Sequence, residues 1–393
     1  MNHAVIVDVV RTASGKGKPG GAFSETHPAD LLAEVLRALL VRNGLDSRQV
    51  DDVLVGCVSQ VGEQSGNIAR TSLLAAGFDE RVPGVSIDRQ CGSSQQAAHF
   101  AAQGVIAGAY DIAIAAGVEV MSRVPLGSAA QGASRYGAGI AARYPKGLVN
   151  QGISAELISA KWDFNREQLD AFAAESHRRA AAAAASGAFA RELVPVTVAD
   201  GRVIDADETI RQATTTSGLA QLKPAFFTEE MELRFPQIDW EITAGNSSPL
   251  TDAASGALIM SEAMAQKLGL TPRARFHAFA VVGDDPLFML TGPIPATRKI
   301  LERSGLSFGD LDVYEVNEAF ASVPLAWAHE FDADPEKLNP LGGAIALGHA
   351  VGASGTRLLG TMLHQLEATG GRYGLQTMCE GGGMANATII ERL

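Results

Sequence analysis

Residues 85–94 read Val-Ser-Ile-Asp-Arg-Gln-Cys-Gly-Ser-Ser, and an alanine-rich segment follows from Gln95 to Ala107. This pattern predicts a short strand, a tight turn and a buried helix that carries Cys91 at its N-terminus. Free N–H groups and the helix dipole stabilise an anion there, so the thiol can have a lowered pKa and act as a nucleophile. Small residues on several faces indicate a helix packed on all sides, with the thiol deep in the fold. An inert core cysteine would look the same locally, so this stretch alone leaves both interpretations open.

The composition is that of a globular protein and narrows the classes of function. The chain has 393 residues, which is enough for two or three domains. Hydrophobic residues make up 46% and charged residues 19%, as in an ordinary globular protein. A net charge of −12 argues against a nucleic-acid partner but allows a small anionic ligand on a local basic patch. Three cysteines offer no disulfide framework, which favours a reducing compartment. With no leader pattern and no apolar run of membrane-spanning length, we expect a cytoplasmic protein without membrane insertion.

Strand-like and helical segments alternate up to Gly117, and the alternation returns at Ala274. It predicts an α/β fold with a mostly parallel sheet covered on both faces. Residues 119–243 break the pattern and are too long for a connection, so we expect an inserted subdomain of helices and loops. A helix end at Gly44 and another at Gly305 are each followed by an aspartate-led strand, which indicates two copies of one domain.

A duplicated domain would bring distant polar residues towards Cys91. His349 lies in a glycine-dense loop, where a base could approach a thiol. Cys379 precedes three glycines whose N–H groups could hold an oxyanion, and Asn317 follows a strand at its C-terminal end. Each also has a structural interpretation, as a turn histidine, a core cysteine or a helix N-cap. A zinc site is not expected, because the chain has no Cys-x-x-Cys spacing.

Four blocks taken together resemble the motifs of the thiolases, the coenzyme A–dependent acyltransferases that make or cleave 3-ketoacyl-CoA. They run in family order across essentially the whole chain, with Gly245-Asn246-Ser247-Ser248 as a further match. The four blocks are Cys91-Gly92-Ser93, Asn317-Glu318-Ala319-Phe320, Gly342-Gly343-Ala344-Ile345-Ala346-Leu347-Gly348-His349 and Cys379-x-Gly381-Gly382-Gly383.

The resemblance implies the thiolase fold, in which two similar βαβαβαββ domains pack as a pseudo-dimer of five αβαβα layers with an inserted loop domain. The N-terminal domain would comprise residues 1–118 plus 244–268. Residues 119–243 would form the loop domain that covers coenzyme A, and residues 269–393 would form the C-terminal domain.

The resemblance also implies a role for each reactive residue. Cys91 would carry the acyl group as a thioester, His349 would take its proton, and Cys379 would be the acid and base at the alpha carbon of the acetyl unit. One oxyanion hole would use His349 and a water held by Asn317. The other would use the backbone N–H groups of Cys91 and Gly381.

Three further positions match the family's substrate contacts. Ser248 and Lys223 match contacts to coenzyme A, and Met289 matches a position in the acyl pocket. The resemblance implies no metal and no permanently bound cofactor, since coenzyme A and acyl-CoA are substrates. It further implies a homodimer or a homotetramer.

The chain departs from the family pattern at several small residues. Ser94, Ala253 and Ala385 replace the usual glycines, Ser255 replaces an alanine, and Ala350 replaces a proline. Asn150 also stands where many acetoacetyl-CoA thiolases have a histidine near the coenzyme A. We expect these changes to affect rate and substrate more than the class of reaction.

The function we expect is thiolytic cleavage of a 3-ketoacyl-CoA to acetyl-CoA and a shortened acyl-CoA, in fatty acid or steroid degradation. Residues 121–127 resemble degradative thiolases, including those that act on bulky or steroid-derived chains. The alternative is biosynthetic condensation of two acetyl-CoA. A decarboxylating ketoacyl synthase would favour histidine at position 317 and would not need Cys379. A catalytically weak scaffold or subunit is the alternative from a different class.

Overall fold

The structure, a computed structural model, describes residues 3–393. Strands β1 to β13 span, in chain order, Ala4–Thr12, Gly15–Lys16, Asp52–Gly56, Gly84–Ile87, Ile112–Val120, Leu193–Val194, Val196–Thr197, Val203–Ile204, Thr251–Ser261, Ala274–Gly283, Val313–Val316, Tyr373–Glu380 and Met384–Arg392. Helices α1 to α13 span Pro28–Asn43, Ile68–Ala75, Ser93–Ala107, Ala138–Arg143, Gln151–Lys161, Arg166–Ser186, Thr216–Leu219, Glu229–Arg234, Glu262–Leu268, Pro293–Ser304, Ser322–Phe331, Ala344–Leu347 and Ser354–Thr369.

The strands form two halves with the same topology. In the first half β3 is parallel to β4 and β5, and β9 is antiparallel to β5 and β1. In the second half β11 is parallel to β12, and β13 is antiparallel to β12 and β10. A parallel bridge between Tyr314 and Leu338 lies beside β11, in the position that β4 has beside β3 in the first half. The duplication predicted from the sequence is therefore confirmed.

The two halves join edge to edge into one mixed sheet, in the order β11-β12-β13-β10-β1-β9-β5-β3-β4. The junction is the antiparallel pairing of β1 with β10 at Val5 and Ile6. The expectation of a mostly parallel sheet was wrong. A tight turn at residues 381–383 leads β12 directly into β13, and so short a connection can only make an antiparallel pair.

Three hydrophobic cores separate the layers. One core packs α1 and α2 on the outer face of the first half, through residues such as Leu36 and Ile68. A second core holds α3 and α13 between the two halves, and includes Ala101 of α3 and Leu363 of α13. The third core packs α10 and α11 on the outer face of the second half, around Trp327. These cores give the five αβαβα layers that the resemblance implies.

The long insertion connects β5 to β9. The corresponding strands of the second half, β12 and β13, are connected only by the turn at 381–383. It contains α4 to α8 and the short strands β6 to β8. Arg11 of β1 binds it to the first half through buried ion pairs to Glu192 at 2.6 Å and to Asp207 at 2.7 Å. The exact domain bounds expected from the sequence stay a prediction.

Most predicted elements are present, with shifted ends. The sequence predicts a helix that Pro28 opens and Gly44 ends, and α1 has both ends there, with Gly44 left-handed at φ of 60°. The sequence also predicts a helix from Gln64 to Ala76, but α2 begins after its N-cap Asn67. It predicts a further helix opening at Asn317, but α11 begins at Ser322. Within residues 3–393, the structure contains no helix long and apolar enough to cross a membrane.

Candidate active site

The two central helices, α3 and α13, touch at their N-terminal ends. A Cβ on Gly355 would overlap the backbone nitrogen of Gln95, so the helices can approach this closely only with glycine there. Their preceding loops carry Cys91 and His349. Cys91 packs in one small cluster with Val351, two residues beyond the histidine. The sequence-based expectation that duplication brings these loops together is confirmed.

Cys91 is 4% exposed. The side chain of Gln151 and the backbone N–H groups of Cys91 and Gly381, which can hydrogen-bond to a thiolate, lower the pKa of its thiol. Burial nevertheless raises the pKa of the thiol to about 12, and the charge of Glu380 adds to the effect. The lowered pKa expected from the helix start was wrong, because desolvation of the thiolate outweighs the hydrogen bonds. The resting group is a thiol that needs a base.

His349 is arranged as that kind of base. Its Nδ1 lies 2.6 Å from Ser354 Oγ, and Ser354 Oγ donates to the carbonyl of Ala350 at 2.9 Å. Because the serine hydroxyl proton is donated to Ala350, Ser354 Oγ must accept the bond from His349. Nδ1 therefore carries the imidazole proton, and Nε2 can accept a proton. Burial and the charge of Arg357 lower the pKa of His349 to about 3, so the ring is neutral.

Asn317 lies beside His349 and is not a helix N-cap. It follows β11, and its Nδ2 is 3.4 Å from His349 Nε2. Its Oδ1 is buried and has no hydrogen-bond partner among residues 3–393. The N-cap of α11 is Ala321, so the structural interpretation left open by the sequence is excluded.

Cys379 is a second buried thiol, and its pKa responds to the charge of Cys91. It is fully buried near the end of β12, and burial raises the pKa of its thiol well above the ordinary value. A charge on Cys91 raises the pKa of Cys379 further. Met378, the residue before Cys379, packs in one cluster with Cys91. The core cysteine Cys57 belongs to a different core.

Glu318 is a residue whose role the sequence did not reveal, although it lies in a quoted motif. Its carboxylate accepts bonds from Ser176 Oγ at 2.6 Å, Asn339 Nδ2 at 2.9 Å and the N–H of Ile345 at 3.1 Å. A Cβ on Gly343 would overlap this carboxylate. Glu318 therefore fixes the loop that leads to the histidine.

The three expected substrate contacts occupy different surroundings. Ser248 donates from Oγ to the carbonyl of Ala319 at 3.0 Å, beside the Asn317 loop. Met289 is buried in the same core cluster as Cys379. Lys223 is exposed on the inserted segment, and the structure gives it no contact with the other site residues.

The altered family positions fit without disturbing the loops. Ser94 Oγ accepts from the N–H of Thr356 at 3.0 Å, and Ser255 Oγ donates to the carbonyl of Ala353 at 2.6 Å. Both new hydroxyls therefore bind the start of α13. Ala350 packs against Ala253 in a small cluster. Asn150 is the N-cap of α5 and accepts from the N–H of Ile153.

The site thus combines a protonated thiol, a neutral imidazole, a second thiol and the backbone N–H groups of Cys91 and Gly381. These are the parts needed for nucleophilic acyl transfer with stabilised oxyanions. The described residues, 3–393, contain no group of three or more His, Cys, Asp or Glu side chains that could hold a metal ion.

Comparisons with known proteins agree with this chemistry. The thiolase N-terminal domain family matches residues 4–263, and the thiolase C-terminal domain family matches residues 270–392. The chain is 46% identical over 402 residues to the steroid 3-ketoacyl-CoA thiolase FadA6 of Mycobacterium tuberculosis, covering 100% of this chain and 95% of that protein. It is 42% identical over 400 residues to a 3-ketoacyl-CoA thiolase of Vibrio cholerae, covering 100% of both. The crystal structure of the Bacillus anthracis acetyl-CoA acetyltransferase superposes with a TM-score of 0.89 at 36% identity, covering 100% of this chain and 99% of that one. The chain therefore belongs to the thiolase family of acyltransferases.

Proposed function

We propose that this thiolase works in the degradative direction, cleaving a 3-ketoacyl-CoA with coenzyme A into acetyl-CoA and a shortened acyl-CoA. The observation that carries the chemistry is that the buried Cys91 packs in one cluster with Val351 and Met378, which lie close to His349 and Cys379 in the chain. The relatives at 46% and 42% identity, both named as 3-ketoacyl-CoA thiolases, support the direction.

The first half-reaction forms the acyl-enzyme. His349 Nε2 takes the proton of Cys91, and the thiolate attacks the 3-keto carbon. The oxyanion of the tetrahedral intermediate is held by the N–H groups of Cys91 and Gly381. Collapse breaks the carbon–carbon bond and leaves the acyl group on Cys91 and the enolate of acetyl-CoA. Cys379 gives its proton to the enolate carbon and becomes a thiolate.

The second half-reaction releases the product. The Cys379 thiolate takes the proton of the coenzyme A thiol, which then attacks the thioester on Cys91. The shortened acyl-CoA leaves, and Cys91 recovers its proton from His349. The charged imidazole and a water held by Asn317 would stabilise the enolate in the first half-reaction, before Cys379 protonates it. The buried Oδ1 of Asn317, unpaired within the described residues, and the 3.4 Å distance from its Nδ2 to His349 Nε2 support this role.

We also propose substrate contacts and domain bounds, which rest on the resemblance to the thiolases and on the positions of the residues in the chain. Ser248 and Lys223 contact coenzyme A, and Met289 lines the acyl pocket. The chain divides into residues 1–118 plus 244–268, a loop domain at 119–243 and a C-terminal domain at 269–393. Residues 1 and 2 of the first domain lie outside the described residues. The enzyme is a cytoplasmic homo-oligomer.

A panel of substrates tests the proposed direction and pocket. Thiolysis would be measured with 3-ketoacyl-CoA esters from acetoacetyl-CoA to long and steroid-like chains, with Cys91→Ala as the blank. A preference for long or bulky chains is expected. A preference for acetoacetyl-CoA would favour the biosynthetic alternative. The similarity to the Bacillus anthracis acetyl-CoA acetyltransferase supports that alternative. No turnover on any ester would overturn the proposal in favour of a scaffold.

A further inference from the structure

Glu380 is a buried acid that the proposed reaction does not use. It ends β12, directly after Cys379. Both of its carboxyl oxygens are buried and lack a hydrogen-bond partner among residues 3–393. Buried polar atoms nearly always have a partner, so a carboxyl without one, next to the reactive residues, needs an explanation.

The carboxyl of Glu380 lies against the peptide that follows the nucleophile. A Cβ on Gly92 would overlap Glu380 Oε1 and would lie 2.7 Å and 2.9 Å from Nδ2 and Oδ1 of Asn386. The carboxyl, the amide and Gly92 therefore meet at one point. This contact also explains why the residue after Cys91 must be glycine.

Asn386 connects the carboxyl to the nucleophile loop. Its Nδ2 donates to the carbonyl of Gly92 at 3.0 Å, while its Oδ1 is buried without a partner within the described residues. An ionised Glu380 has only acceptor atoms, so it would face another acceptor and leave both unpaired. A protonated Glu380 supplies the one donor that the group lacks.

The charged neighbours do not remove the need for that proton. The loop before Cys91 carries Arg89 and Asp88, whose opposite charges act on the carboxyl. Burial raises the pKa of Glu380 to about 8, with Arg89 lowering it and Asp88 raising it. The remaining titratable neighbours are the thiols of Cys91 and Cys379, and an ionised Glu380 raises the pKa of both.

We propose that Glu380 is a positioning residue that acts as a neutral carboxylic acid. Its O–H donates to Asn386 Oδ1, and Asn386 in turn holds the Gly92 carbonyl and fixes the peptide after Cys91. The proton also keeps a negative charge away from the Cys91 thiolate. This inference rests on the proposed role of Cys91 as the nucleophile.

The test measures alkylation of Cys91 by iodoacetamide between pH 7 and 10, followed by peptide mass spectrometry. Above pH 8 the wild-type carboxyl ionises and opposes the thiolate, whereas Glu380→Gln cannot ionise. We expect Glu380→Gln to be alkylated faster than wild type, with the ratio growing to about tenfold at the alkaline end, as a one-unit change in the thiol pKa gives. Glu302→Gln, an exposed change on α10, should follow the wild-type profile.

A second variant separates the hydrogen bond from the charge. Glu380→Met cannot ionise and cannot donate, whereas the amide of Glu380→Gln can donate to Asn386. Thiolysis at pH 7 should therefore fall in Glu380→Met and be restored towards wild type in Glu380→Gln.

Three results would overturn the inference. A Glu380→Gln profile that matches wild type would show that Glu380 does not titrate near Cys91. Equal losses of thiolysis in the Gln and Met variants would show that the carboxyl is not a donor. Absence of label on Cys91 in every variant would refute the nucleophile assignment itself, and the inference with it.

Discussion

The Cys91 thiol is a weak acid because burial raises its pKa more than Gln151 and the nearby N–H groups lower it. The acidity that a helix start gives to an exposed cysteine is therefore not available to it. In the proposed reaction, the neutral ring of His349 supplies the missing base through Nε2. Nucleophile and base would then be activated only together.

Replacing Cys91 with alanine should abolish acyl transfer, by ~10⁴-fold or more, because a unit of nucleophile and base fails when one member is lost. Thiolysis of a 3-ketoacyl-CoA and trapping of an acyl adduct both measure this. Cys57→Ala is the matched control, since Cys57 is also a free buried cysteine but lies in another core. Substantial turnover in Cys91→Ala would refute the nucleophile assignment.

Replacing Cys379 with alanine should separate the two half-reactions. Cys91 should still accept an acetyl group from acetyl-CoA, because His349 and the N–H donors remain. Condensation and thiolysis should be lost, because no group then exchanges a proton with the alpha carbon. Mass spectrometry detects the acetyl adduct, and a spectrophotometric assay follows acetoacetyl-CoA. Persisting condensation would show that another residue is the alpha-carbon base.

The sequence predicts candidate reactive side chains but not the residues that contact them. Cys91, His349, Cys379 and Asn317 stand in recognisable blocks. Ser354, which assigns the His349 tautomer, is an ordinary serine in a helix start. Gln151, which contacts Cys91, is 60 residues away in the chain, and no local pattern predicts such a contact.

Element types follow from sequence more closely than element ends do. Pro28 and Gly44 mark α1 correctly, because their backbone preferences are strong and local. The start of α2 was placed too early, since Gln64 lies in a 3₁₀ turn and donates to Glu119 instead. Tertiary hydrogen bonds of this kind decide where a marginal helix begins, and a local pattern does not contain them.

The contact of α3 with α13 gives a prediction about glycine. Gly355→Ala should destabilise the protein by about 3 kcal/mol, as overpacking does where neither backbone can move, because its Cβ would overlap the backbone of Gln95. Gly139→Ala in α4 is the control, since nothing lies within 4 Å of its Cβ, and helix propensity favours alanine. Calorimetric melting temperatures compare the two. An equal effect of both variants would show that the helix contact is not tight.

At the scale of the whole molecule, the repeated spacing of glycines and aspartates predicted the duplication, since each copy needs the same helix ends and strand starts. The joining of the two sheets at β1 and β10 was not predictable, because it depends on how the two copies pack. The insertion was visible because residues 119–243 interrupt the repeat. The ion pairs that anchor the insertion to Arg11 were not predictable, because Glu192 and Asp207 are distant from Arg11 in the chain.

The sheet ends in β4, which is an edge strand with one side unpaired among residues 3–393. Val85 of β4 is 40% exposed, so the open edge carries an exposed apolar side chain. Exposed edges of this kind are normally covered, by a charge or by another chain. Since β4 carries no charged residue, we expect a second copy of the chain to pair there.

Light scattering with size-exclusion chromatography measures this association. The wild type should elute as a dimer or a tetramer, and Val85→Lys should shift it towards the monomer, because a charge at an edge strand opposes pairing. Val41→Lys on α1 is the control, since Val41 is 81% exposed on the outer face and its change should leave the mass unaltered. A monomeric wild type would contradict the expected homo-oligomer. A dimer that tolerates Val85→Lys would move the interface to another face.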